Sequence, residues 1–299
     1  MRYLNFGRIL PTTLILIVIS VCTVSCQDTA KNDVSDVVIV DDDPIQATHK
    51  LPNINLNNWK VTLPIGNPAE VKPPEILSYA TNEMLKPFMY NDSIKGALVF
   101  YTYPGSSTAN STYSRTELRE QIVPGSNSTN WTFSQGGTMK GELAMGEMTK
   151  DSNDNYHRTI IMQIHGRLTN NQRDLIGEND NNAPPMLKIY WVNGKVRVKT
   201  KVLKNLNATD TEMLHTDAWG DDVGYTFPEY VGFDTFTLEV KVSSGRMEVI
   251  MNGASRVYDD IHIQKWGIFE NYFKAGNYLV THDNWAKAKV EYYSLEVSH

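Results

Sequence analysis

Apolar and polar residues alternate over short runs along most of this chain. In Lys195-Val196-Arg197-Val198-Lys199-Thr200-Lys201-Val202, valines at 196, 198 and 202 stand between charged positions. A period of two is the mark of a half-buried strand, because successive side chains in a strand point to opposite faces. Runs of this kind predict about ten strands, at residues 97–103, 115–123, 138–149, 159–165, 186–192, 195–202, 236–242, 247–251, 272–280 and 289–297. Asn193-Gly194 and Asn252-Gly253 lie between such runs and carry the chemistry of tight hairpin turns. No long stretch keeps a 3.6-residue period; only 74–79 and 259–265 read as short helices. Ten strands without a helical layer predict an all-β fold, a sandwich or jelly roll of two sheets. No linker-like composition divides residues 51–299, so these are expected to form one domain. Two irregular stretches, 169–185 and 205–232, interrupt the pattern and are long enough to be functional loops.

The first 50 residues break the alternation. Arg2 and Arg8 precede the apolar run Leu14-Ile15-Leu16-Ile17-Val18-Ile19, and Thr23-Val24-Ser25-Cys26 follows. A charged start, a short apolar run and a small-residue site predict a signal peptide over residues 1–25. Val24-Ser25-Cys26 resembles a lipoprotein cleavage site, with Thr23 where leucine is usual, so Cys26 is the expected lipidation position. Residues 26–50 are rich in aspartate, including Asp41-Asp42-Asp43, and are expected to be an acidic flexible tether. On this reading the protein is exported, as an outer-membrane or cell-surface lipoprotein or else secreted, and meets a membrane only through the N-terminal lipid. Both cysteines, Cys22 and Cys26, lie in this leader, so the folded part has no internal disulfide.

Charge narrows the range of partners. The chain has 28 Lys+Arg against 34 Asp+Glu, a net −6. Removal of residues 1–25 takes away Arg2 and Arg8 and no acid, leaving 26 against 34, or −8. An acidic protein is a poor nucleic-acid binder, and any anionic substrate requires a local basic patch.

Three of the predicted strands supply such a patch. Arg115, Glu117 and Arg119 share one face of Ser114-Arg115-Thr116-Glu117-Leu118-Arg119-Glu120. Taken alone, that face reads as a solvated row of paired charges. Gln163 and His165 share a face of Ile161-Met162-Gln163-Ile164-His165. Tyr272, Lys274, Gly276 and Tyr278 share a face of Tyr272-Phe273-Lys274-Ala275-Gly276-Asn277-Tyr278, where Gly276 is expected to leave room for a ligand. If the three faces converge, cations, an amide, an imidazole and a phenol meet at one place. Those are the groups needed for β-elimination from a uronic acid. Arginine and amide donors stabilise the enolate-like intermediate that forms when the C5 proton leaves. A base removes that proton, and an acid protonates the departing glycosidic oxygen. Histidine serves as a base near neutral pH, and cations beside a tyrosine favour its phenolate.

Together the three runs resemble the signature of the alginate lyases of polysaccharide lyase family 7: Arg-(Ser/Thr)-Glu-(Leu/Val)-Arg, Gln-(Ile/Val)-His and Tyr-Phe-Lys-x-Gly-x-Tyr, in that order. Trp59-Lys60-Val61-Thr62-Leu63-Pro64 resembles the family's N-terminal strand, so the likeness runs from about residue 58 to the C-terminus. The resemblance implies a β-jelly roll with a substrate groove across its concave sheet, acting on the anionic polysaccharide alginate without cofactor or metal, and a monomer is expected. Carried over, Arg115 and Gln163 neutralise the uronate carboxylate, His165 assists as base or neutraliser, and Tyr278 donates the proton. For mannuronate Tyr278 serves as both base and acid. Glu117, Arg119, Lys274 and Tyr272 bind and orient the chain. Ile164, rather than valine, is associated with a preference for guluronate-containing regions. Leu279-Val280 depart from the Asn or Gln residues that often follow the family's final tyrosine.

Three rival readings lead to different observations. A non-catalytic carbohydrate-binding sandwich would use Trp131, Trp191, Trp219 and Trp285 as stacking platforms. A jelly-roll glycoside hydrolase would need two carboxylates about the bond, such as Glu142 and Glu147, whose spacing puts them on opposite faces unless a bulge intervenes. A lyase acting on another polyuronate, such as glucuronan, would keep the catalytic logic unchanged.

Overall fold

The alternation at 195–202 becomes the strand Lys195–Leu203, with Val196 and Val198 buried and Lys195, Arg197 and Lys199 on the more open side. The computed structural model describes residues 50–107 and 111–299. The expected signal peptide, Cys26 and all of the tether except Lys50 lie outside the described residues.

Both predicted hairpins form. Asn193 and Gly194 have φ of 46° and 81°, and Asn252 and Gly253 have 47° and 86°. Two successive left-handed residues match the turn to the right-handed twist of the strands it joins.

Eighteen strands among the described residues make two sheets. The eight-stranded sheet runs Ala254–Tyr258, Arg246–Met251, Phe236–Ser243, Gly137–Met148, Ala288–Ser298, Ala97–Thr102, Met89–Asp92. The ten-stranded sheet runs Trp219–Asp221, Lys195–Leu203, Asn182–Val192, Thr159–Arg167, Glu270–Leu279, Arg115–Glu120, Trp59–Thr62, Glu70–Val71. Short strands attach to the side of each path, and pairing is antiparallel except where Asn53–Ile54 joins Ala288–Ser298. This is the jelly-roll sandwich. Its core lies between the sheets: Leu118, Met162, Ile164, Phe273 and Ala275 from one, and Leu143, Met145, Val240, Val290 and Tyr292 from the other, all at most 2% exposed. Each large apolar side chain so buried contributes roughly 1.5–3 kcal/mol. The Tyr292 hydroxyl crosses the core to donate to the Ile161 carbonyl at 2.6 Å, so the one polar tip in this set is satisfied.

Several expectations change. Residues 169–185 are not a continuous loop: Asn170–Ile176 is a helix, closed by a capping box in which Thr169 and Gln172 satisfy each other's backbone N–H, and by left-handed Gly177. Its last residues belong to the strand Asn182–Val192, where register shifts between Asn182, Pro185 and Leu187 accommodate prolines that cannot donate to a ladder. Residues 205–232 hold the short helix Asp210–Met213 and two short strands, Trp219–Asp221 and Tyr225–Thr226, paired to Lys195–Leu203. Gly276, at φ 136°, does not leave room for a ligand. A Cβ there would meet the Thr116 carbonyl oxygen at 2.7 Å and Glu117 Cα at 2.9 Å, so glycine is demanded by the neighbouring strand.

Candidate active site

Strand pairing sets the site. Arg119 stands opposite Lys274, Glu117 opposite Gly276 and Arg115 opposite Tyr278, while on the other side of the same strand Tyr272 faces His165 and Lys274 faces Gln163. Lys60 lies opposite Arg119, and Lys188 lies between Gln163 and Lys199. One cross-strand row therefore reads Lys60, Arg119, Lys274, Gln163, Lys188, Lys199: five cations and an amide on a single face. A bulge in Glu270–Leu279, between Ala275 and Tyr278, shifts the register against Thr159–Arg167 but leaves Tyr278 beside Arg115. Buried Asn277 holds this irregular backbone by donating to the Phe100 and Ala288 carbonyls, both at 2.9 Å, and accepting from Thr159 Oγ1 at 2.7 Å.

Two adjoining cavities occupy this face. One, of about 350 Å³, is lined by Arg115, Gln163, His165, Lys188, Lys274 and Tyr278 together with residues of the rim. The other, of about 490 Å³, is lined by Lys60, Arg115, Arg119, Arg167, Tyr272 and Lys274 with Asp180 and Asn181. They share Arg115, Asn182 and Lys274, and so form one groove. Asp180 to Pro185 and Thr216 border it, so both irregular stretches of the sequence supply its walls. A third cavity, beside Glu120 and His299, shares no residue with the groove.

Of the eight residues singled out in the sequence, seven line the groove; Glu117 does not. Its side chain is 1% exposed, beneath the others. Glu117 accepts a hydrogen bond from Gln163 Nε2, pairs with Lys274 Nζ, and lies 3.8 Å from Arg115 Nε. The expectation that Glu117 binds the sugar chain is thus corrected: it is the buried counter-ion that positions an amide and two cations. Nor is the Arg115, Glu117 and Arg119 face a solvated one, because Glu117 and Arg119 are at most 6% exposed and Arg115 is partly buried.

Each remaining group is held in a particular state. Arg115 donates through Nη1 to Ser111 Oγ, and its Nε is a buried donor without a hydrogen bond. Ser111 Oγ donates in turn to the Tyr278 hydroxyl oxygen at 3.1 Å, and the Tyr113 N–H approaches the same oxygen at 3.4 Å. The phenol hydroxyl is thus held by these two groups at the edge of the cavity. His165 Nδ1 lies 2.9 Å from the Gly166 carbonyl. A carbonyl only accepts, so Nδ1 carries the proton and Nε2 the lone pair. Burial, followed by the charges of Lys274, Arg115 and Lys188, pushes the imidazole down to about 3, and it is neutral at ordinary pH. Burial also brings Lys274 down to about 8, although Glu117 opposes the shift. Tyr272 stacks on His165, with centroids 5.3 Å apart, and carries the Arg119 guanidinium 4.0 Å from its own ring centre. Arg119 is further tied to the Glu120 and Asn127 carbonyls and to Asn130 Oδ1.

Reasoning from sequence missed Ser111, Tyr113, Lys60 and Lys188 as parts of this site. Lys188 sits in a run read as a strand, and Lys60 in the segment that resembles the family's N-terminal strand, but the partner strands that bring them here were not legible. Ser111 and Tyr113 precede the arginine strand and carry no periodic signal.

Two of the three rival readings lose their residues. Trp131, Trp191 and Trp219 are at most 3% exposed and belong to the core, leaving Trp285 as the one exposed platform among the four. The strand carrying Glu142 and Glu147 does bulge, between the positions facing Lys289 and Val290, but it lies in the eight-stranded sheet, away from the groove. Glu147 is occupied by Lys287 at 2.8 Å and Lys289 at 3.2 Å.

A family model described as alginate lyase matches residues 54–299. A search of curated proteins found no match. Among solved structures the chain is similar to alginate lyase A1-II′, a member of polysaccharide lyase family 7, at 31% identity and a TM-score of 0.64, over 83% of this chain and 96% of that one. A Tyr-to-Phe variant of A1-II′ in complex with product (GGG) is similar at 29% identity and a TM-score of 0.66, over 83% and 97%. Alginate lyase PA1167 from Pseudomonas aeruginosa shares the fold at 23% identity and a TM-score of 0.61, over 82% and 99%.

Proposed function

The chain belongs to the alginate lyase family and is a polysaccharide lyase, and on that premise we propose that it cleaves alginate by β-elimination at the 4-O-glycosidic bond with Arg115, Gln163, His165 and Tyr278. The observation that carries this reading is the single cavity lined by all four together with Lys274.

Arg115 and Gln163 receive the carboxylate of the sugar to be attacked. The Arg115 guanidinium and the Gln163 amide both line the cavity, while Glu117 holds both groups in place from beneath. As the C5 proton leaves, charge builds on that carboxylate, and donors already aimed at it stabilise the transition state without reorganising. His165 Nε2 takes the proton. The bound carboxylate offsets the field of Lys274, Arg115 and Lys188, which otherwise keeps the ring weakly basic, so binding raises the basicity of the imidazole. The C4–O4 bond breaks, C4 and C5 become doubly bonded, and the Tyr278 hydroxyl gives its proton to O4. On mannuronate, Tyr278 takes the C5 proton as well, with Ser111 Oγ and the Tyr113 N–H holding its hydroxyl in position. The test is incubation with polyguluronate, polymannuronate and glucuronan, following the ultraviolet absorbance of the conjugated unsaturated uronate. No absorbance rise on any of them would leave a binding module only.

A preference for guluronate-containing regions is part of the proposal and rests on the resemblance at Ile164. That side chain is fully buried on the core side of its strand, so an effect on sugar choice acts through the position of Gln163 and His165. Equal initial rates on the two homopolymers would remove it. Export with lipidation at Cys26 is proposed from the leader sequence, and a Cys26→Ser variant that still partitions with membranes would contradict it.

A further inference from the structure

Two cations of the row line the catalytic cavity, Lys188 and Lys274, and only Lys274 has a carboxylate partner among the described residues. Lys60 pairs with Glu70 at 2.6 Å, Lys274 pairs with Glu117, and Lys201, off the row, pairs with Asp221 at 2.6 Å. Lys188 lies among them, half-buried, and has no carboxylate within ion-pair distance among the described residues. The acid that acts on it, Asp221, is already taken by Lys201, while Lys199, Lys201 and Arg158 all disfavour its charge. Lys188 is therefore a partly desolvated amine in a positive surround, an arrangement that costs stability unless an anion arrives. It lines the catalytic cavity, one strand beyond Gln163, with Thr216 on the bordering segment.

Neighbouring strands lie about 4.8 Å apart, close to the length of one pyranose unit. A uronate chain laid across the strands would therefore set a neighbouring sugar over the strand that carries Lys188. We propose that Lys188 is a separate carboxylate-binding position for a second sugar of the same chain, beyond the one held by Arg115 and Gln163, and that it makes the enzyme favour longer substrates. Lys199, in register on the next strand, reinforces the positive potential at that position. This inference rests on the lyase reading for the nature of the substrate.

The experiment is calorimetric binding of saturated oligouronates of increasing length in a Tyr278→Phe background, which leaves the chain uncut, with and without Lys188→Gln or Lys188→Arg. Lys188→Gln is expected to weaken binding of the longer oligomers roughly five- to twentyfold and to leave the shortest unchanged. It should also flatten the salt dependence seen with the longer ones. Lys188→Arg keeps the charge and should restore most of the affinity. Equal affinities at every length overturn the proposal, as does a loss as large on the shortest oligomer as on the longest. Absence of unsaturated product from the wild-type protein would instead overturn the lyase reading, leaving the calorimetric comparison to stand by itself.

Discussion

The outer faces of the two sheets obey the same alternation yet treat charge in opposite ways. On the eight-stranded sheet, apart from Lys95 on buried Glu291, charges meet in small, partly exposed pairs: Glu239 with Lys241 at 3.3 Å, Arg246 with Glu248 at 3.2 Å, and Glu147 with Lys287 and Lys289. On the ten-stranded sheet, one glutamate at 1% exposure serves an arginine, a lysine and a glutamine. Pairs of the first kind are solvated and worth about 0–1 kcal/mol. In the second kind, removal of one partner strands the others in a poorly solvated place, and the typical loss is about 3–5 kcal/mol. Alternation decides which side chains face outward. The segments that wall the groove decide whether outward means into water or into a site where electrostatic interactions are strong.

The largest effect that sharpens this contrast is chemical. Tyr278→Phe should lower kcat about a thousandfold while the melting temperature stays near that of the wild type; turnover within tenfold of wild type would remove Tyr278 as the acid. Next comes the paired comparison of glutamates. Glu117→Gln should cost roughly 3–5 kcal/mol in denaturant unfolding, whereas Glu147→Gln should cost less than about 1 kcal/mol. Similar losses in the two variants would erase the distinction between the sheets. Arg115→Ala should then reduce kcat about a hundredfold with a smaller change in KM, because neutralisation of the carboxylate matters most in the transition state. A loss confined to KM would contradict that assignment.

The smallest effects are those of pH. The His165 imidazole is depressed to about 3 in the folded protein, against about 6.5 unfolded. Between those values the unfolded chain binds more protons, so this contribution is complete above about pH 6.5 and is lost as pH falls towards 3. A His165→Gln variant should therefore show a shallower fall in melting temperature on acidification, and parallel curves would count against a buried neutral imidazole. At the other end, Lys274 loses its proton as pH rises through about 8. From there to the ordinary lysine value the unfolded chain holds more protons, so the linkage term favours folding while anion binding weakens. Oligomer affinity that stayed constant through that window would mean that Lys274 carries no binding charge.

Much of this was legible in residue order. Val196 and Val198 announced a strand, Asn193-Gly194 its turn, and the three polar runs named seven groove residues before any strand pairing was known. The helix Asn170–Ile176 was hidden in an asparagine-rich stretch because about two turns of helix carry little periodicity. Glu117 was placed on the right face but given the wrong task, since alternation reports direction and says nothing of depth.

The one-dimensional pattern determined a two-sheet sandwich, ten of the eighteen strands among the described residues with two of the turns between them, the alternation of faces along those strands, and the chemical types gathered on three of them. Those are local properties, fixed by the two-residue repeat of extended backbone and by the turn residues. Tertiary structure alone decided that Glu117 is covered, that His165 carries its proton on Nδ1, that Ser111 bridges Arg115 and Tyr278, and that Lys188 is left without a carboxylate. Each of these depends on which distant segment lies alongside, and the dielectric and hydrogen-bond partners of a side chain are set by its neighbours in space.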